Sequence, residues 1–277
     1  MNAKARWLFA SSAAGLIAAF ICLLAVSRAN AEQLPIPGLI PMGRHMRMTP
    51  KWPRRPGDLD RAHYVADTLR RSLLPYRNYR VALAQGMRVF LPSVPQDVYH
   101  FVDLNASGEE YKGHFDLTHP GSLLYAKDQN GYELVGAMYS APPYFTLRDL
   151  NQLVPLSVAR WHVHASICLP RGISLNDLVW GRIGADNAHT PGMLPASYPQ
   201  ASALNHELGF MADGRFGFEG TITTASQCDA AGGHFIPQAF GWMVHVYPFT
   251  GDDLKKIFAM KPPKPQSDAS LDSATGH

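Results

Sequence analysis

The chain has 277 residues, 46% of them hydrophobic and 17% charged, with 25 Lys and Arg against 22 Asp and Glu. That length suits one large domain or two small ones, and the apolar content is enough for a real core. The small positive excess vanishes once a leader is discounted, so bulk charge makes no case for nucleic acid.

The leader is predicted at 1–31. Met1 to Arg6 is short and basic, Trp7 to Val26 is apolar, and Ala29-Asn30-Ala31 offers the small residues that signal peptidase accepts. The apolar run is also long enough for an uncleaved anchor, since a bilayer takes about 20 residues. The cleavage site favours removal after Ala31, leaving a periplasmic or secreted chain with no stable membrane anchor. Lys4, Arg6 and Arg28 leave with it, which takes Lys and Arg from 25 to 22, equal to the 22 acids.

Residues 32–57 read as a proline-rich arm, extended and irregular because proline fixes φ and lacks an amide proton. The domain proper is read as 58–260. A helix is expected from Asp58 to Leu74, capped by Asp58 or Asp60. A second runs from Tyr76 to Gln85, with Gly86 at its stop. From Arg88 short apolar runs alternate with turns: 89–91, 98–102, 122–126, 132–139, 159–168, 216–221 and 242–247. Asn130-Gly131 between two of these runs is a hairpin signal. Leu147 to Leu153 reads as a helical turn, 172–200 as a long loop over a site, Asp252 to Met260 as a last helix, and 261–277 as a disordered tail. The fold class is therefore mainly β, an antiparallel sandwich or barrel with two N-terminal helices and long loops.

All twelve histidines follow the leader. In Trp161-His162-Val163-His164-Ala165-Ser166-Ile167-Cys168, strand alternation puts His162, His164, Ser166 and Cys168 on one face. Two imidazoles on one strand face suit a single ion. His245 is the best distant third ligand and His114 the next, followed by His234 and His119. His100 also sits in a strand and calls for a partner. His45, His63, His189, His206 and His277 are given no role. Cys168 is either bridged to Cys228, which export favours, or a free thiolate ligand. Imidazole donors, with Asp116 or Glu219 as acidic candidates, suit copper, zinc or iron.

Two resemblances rest on these residues. His162-x-His164 with Cys168, then Gly233, Pro237, Gly241 and His245, is similar to the paired metal-binding motifs of cupins. That implies a jelly-roll-like barrel, with a cysteine where the cupin motif has its glutamate. Tyr76 to Gly86, His114 to Tyr125, Leu134 to Tyr139 and Gly241 to His245 together resemble a group of uncharacterised exported bacterial proteins, which implies export and a single β-rich domain. The expected function is metal binding, with catalysis, substrate and oligomeric state left open. The alternatives are a metal-free module for a small molecule or cell-envelope partner, and a structural envelope protein whose histidines are satisfied core groups.

Overall fold

Eight strands make one open antiparallel sheet: β1 (Ile40–Pro41), β2 (Met46–Met48), β3 (Arg88–Val89), β4 (Tyr99–Val102), β5 (Ser122–Asp128), β6 (Gly131–Ala141), β7 (His162–Pro170) and β8 (Gly233–Val246). Their spatial order is β1-β2-β7-β8-β6-β5-β4-β3. The structure is a computed structural model that describes residues 38–90, 96–129, 131–172, 175, 214–218 and 220–263. The predicted leader, nearly all of the long loop, Glu219 and the tail beyond 263 lie outside the described residues. Among those described, the strands form a single sheet, and no second sheet faces it as a sandwich would require.

The proline-rich arm is more ordered than its composition implies. Its prolines stand outside β2, so Met46 to Met48 are free to pair with His162 to His164 of β7. Buried His45 pins the arm further, with its ring nitrogens 2.9 Å from the Ser166 carbonyl and 2.6 Å from that of Gly220. The Asn130-Gly131 signal is met by a hairpin, since Asp128 pairs with Gly131 across β5 and β6.

The first predicted helix is α1 (Asp58–Ser72), but Gly57 at φ 80° precedes it in place of a side-chain cap. Asp58 instead accepts hydrogen bonds from the Arg55 amide and the Ser157 hydroxyl. The second splits into a 3-10 turn (Leu74–Arg77) and α2 (Tyr79–Ala84), because Asn78 is extended and caps the Arg80 amide. Two helices were not expected: α3 (Leu104–Tyr111) and, after α4 (Leu147–Leu153), α5 (Ala225–Ala230). Asp103 caps α3 through the amides of Asn105 and Ala106. Thr146 and Asp149 form a reciprocal capping box on α4, which has the predicted bounds. The last helix is short, α6 (Leu254–Ile257). The described residues of the 216–221 run form no strand, and hydrogen bonds from Thr221 N–H to Gly214 O and Ile222 N–H to Arg215 O tie its flanks together.

One face of the sheet carries the main core. Phe101, Leu123, Tyr139, Trp161, Val163, Trp242 and Val244 pack there with Val65 and Leu69 of α1 and Leu150 of α4. Each such aliphatic or aromatic side chain contributes about 1.5–3 kcal/mol through burial. Strand alternation sends the intervening residues to the opposite face. His100, Met138, Ser140, His162, Met243 and His245 are those residues, and they line a cavity.

A smaller cluster surrounds the disulfide between Cys168 of β7 and Cys228 of α5, whose Cα atoms are 5.6 Å apart. Gly233 is required beside it, because a Cβ there would run into both sulfurs. Strict alternation from His162 to Cys168 does not hold. Ser166 has φ 59°, and Ile167, Cys168 and Leu169 are all buried.

Candidate metal centre

The cavity holds about 490 Å³ and lies between the sheet, α3, Phe90, and the aromatic pair Phe218 and Phe240. Helix α3 is held over the sheet by Glu110, whose carboxyl group is buried. It accepts hydrogen bonds from the Gly121 amide at 2.9 Å and the Ser140 amide at 2.8 Å. Burial pushes its carboxyl up to about 8. Tyr111 adds a second tie, accepting a hydrogen bond from the Gly241 amide at 3.3 Å.

Four imidazoles line this one cavity: His100, His162, His164 and His245. Their ring centroids run in a chain, 5.9 Å from His164 to His162, 5.1 Å from His162 to His245, and 5.6 Å from His245 to His100. With metal–nitrogen distances of about 2.0–2.1 Å, two imidazoles on one tetrahedral ion hold their centroids about 5 Å apart. The rings of His162 and His245 stand at that spacing, and those of the other two neighbouring pairs stand wider. They are not turned onto a common point: among the described residues no three His, Cys, Asp or Glu side chains form a finished metal site.

Burial lowers the proton affinity of all four rings, and neighbouring imidazoles lower it further for three of them. His100 falls to about 3, His164 to about 4, and His162 well below its ordinary value. His245 is lowered by burial alone, against a hydrogen bond to a backbone carbonyl that raises it. All four are neutral at neutral pH, the state in which imidazole offers a lone pair to a metal.

Hydrogen bonding sorts the nitrogens. His245 Nδ1 lies 3.1 Å from the Met260 carbonyl, an arrangement that fixes the proton on Nδ1 and leaves Nε2 free. Nδ1 of His162 and of His100 are buried and have no hydrogen-bond partner among the described residues, and the same holds for Ser122 Oγ. The backbones of Met243 and Val98 lie near His162 and His100 and raise their proton affinity somewhat, without completing a hydrogen bond to Nδ1. A buried polar group without a partner costs about 1–3 kcal/mol. Three of them around one cavity call for an explanation.

Of the sequence candidates, His162, His164 and His245 come together. His114 does not. The turn at Lys112 and Gly113 after α3 carries it to the surface, where its side chain is 72% exposed and its Nδ1 lies 2.6 Å from Glu109. His119 is likewise exposed and pairs with Asp116, which removes that carboxylate from the cavity too. His234 is exposed on β8 opposite Leu169. Cys168 is held in its disulfide and offers no thiolate. His100, marked in the sequence as a strand histidine in need of a partner but left out of the ligand set, joins them from its place between buried Tyr99 and Phe101.

No family model, curated protein or solved structure matches the chain. Among the described residues no helix is long and apolar enough to cross a membrane.

Proposed function

We propose that this is an exported protein that binds a transition metal ion through His162, His164 and His245, with His100 as a further donor. The supporting observation is a set of four neutral imidazoles around one cavity, His162 buried and the other three half-buried, with His162 and His245 at co-ligand spacing and unsatisfied ring nitrogens on His162 and His100. The arrangement is cupin-like in one respect: two histidines come from one strand and the last from another. A disulfide accords with an oxidising compartment, periplasmic or extracellular. An ion with a free coordination position would supply a Lewis acid to whatever the cavity admits.

The test is titration of the metal-free, untagged protein with copper and zinc, read by calorimetry and elemental analysis. One ion per chain is expected. His162→Ala and His245→Ala should each weaken binding at least tenfold, while His114→Ala should leave it unchanged. A protein that takes up neither metal refutes the reading.

A second reading has its own support. Most of the cavity wall is apolar, with Phe90, Phe218 and Phe240 on it, and about 490 Å³ falls in the range of small-molecule sites. On that reading an apolar small molecule fills the space without metal. An environment-sensitive apolar dye would then bind the metal-free protein and survive His162→Ala.

A further inference from the structure

Resting on the metal-binding reading above, we propose that the cavity is a copper(I) site in which methionine thioethers join the imidazoles. Met46 stands opposite His164, Met243 opposite His162, and Met138 opposite His245 in the strand register. Directly opposed residues of an antiparallel pair lie on one face, with Cβ atoms about 4.5–5.5 Å apart. Each histidine of the three-residue set therefore has a methionine as its cross-strand neighbour. All three methionines line the cavity. They do not serve the main core, which is built by the alternating residues on the other face.

Charge points the same way. No Asp, Glu or Cys side chain is among the described residues that line the cavity. Glu110 spends both its oxygens on backbone amides. A divalent ion would therefore bury two charges among neutral donors. The cost of moving an ion out of water rises with the square of its charge, so a monovalent ion incurs about one quarter of it. Among first-row transition metals the monovalent ion of biological use is copper(I), and soft thioether donors select it over zinc. Neutral imidazoles and thioethers around a single positive charge form a consistent donor set.

The experiment is anaerobic competition for copper(I) against the chelator bicinchoninate on the full chain, run beside zinc titration. Copper(I) should bind at least 100-fold more tightly than zinc. Met46→Leu, Met138→Leu and Met243→Leu keep the apolar bulk, and each should weaken copper(I) at least fivefold while leaving zinc within twofold. Met87→Leu, in the main core on the other face of the sheet, should change neither. X-ray absorption of the copper(I)-loaded wild type should show sulfur in the first coordination shell, a readout independent of how the variants fold. Zinc equal to copper(I), or nitrogen-only coordination with unchanged Met→Leu affinities, overturns the copper(I) assignment and leaves histidine-dependent metal binding standing. Loss of neither metal in His162→Ala, or uptake of neither by wild type, overturns the metal-binding reading as well.

Discussion

Acidification should destabilise the metal-free protein, and Glu110 should mask part of the effect. His100 and His164 titrate near 3 and 4 in the folded state, against 6.5 unfolded. A histidine with a depressed folded value takes up its proton on unfolding, so its contribution is present above pH 6.5 and is lost as pH falls. At about 1.36 kcal/mol per proton and pH unit, these two together forfeit about 3 kcal/mol between pH 6.5 and 5. His162 and His245 are shifted the same way and add to the loss. Glu110 runs opposite. Its folded value of about 8 lies above its ordinary 4.5, so its contribution is full below pH 4.5 and is lost as pH rises through 8. From pH 6.5 to 5 it returns about 2 kcal/mol. The net loss from these three groups is about 1 kcal/mol. Glu110→Gln removes the opposing contribution and should expose the full loss of about 3 kcal/mol or more. Urea unfolding of both proteins at pH 6.5, 6.0, 5.5 and 5.0 measures the two slopes. The depressed aspartates and Glu109 act below this window. If Glu110→Gln is no steeper than wild type, or if its stability rises on acidification, the protonation states argued for the cavity are wrong.

Two further outcomes test the scaffold. The Cys168–Cys228 bond closes a sequence separation of 60. Replacing both cysteines by alanine should cost about 4 kcal/mol on the chain-entropy model, read as a lower urea midpoint. At Gly241 a Cβ would run into the Ala141 carbonyl and press on the Tyr111 ring. Gly241→Ala should therefore cost about 1–3 kcal/mol in thermal unfolding and weaken metal uptake by moving β8.

Local pattern carried four of the six helices and most strands. The helical turn read at 147–153 has the bounds of α4, and the apolar alternation of β6 and β8 was visible in 132–139 and 242–247. The same alternation put His162 and His164 together. It also marked His245 as a buried-strand histidine in need of a partner, and the Met260 carbonyl is that partner. Local pattern failed where the determinant was non-local. Nothing in Met46-Arg47-Met48 announces a strand, because its pairing to β7 is decided 116 residues later in register with His162 to His164. His114 was misplaced because nothing in its neighbourhood announced the helix that Asp103 caps and that ends just before it.

The arrangement of the cavity depends on a register shift that no single-strand pattern encodes. His162 pairs with Met243, but His164 pairs with Ala239, so two steps along β7 answer four along β8. The two extra residues are Phe240 and Gly241 as they bulge out of the ladder. Phe240 takes φ 65° there, a left-handed conformation that a bulky residue rarely adopts, and its ring stacks on Phe218 at 6.0 Å with planes 5° apart. Bulges re-aim side chains and tighten strand twist, and they gather beside functional sites. Here the bulge places an aromatic ring in the cavity wall and brings the Gly241 amide to Tyr111, which ties the sheet to α3. A regular ladder would place Gly241 opposite His164 and return Phe240 to the helix-covered face. The cavity would then lose one of its aromatic walls and the tie that holds α3 above it, so the strained backbone at Phe240 is part of what shapes the cavity.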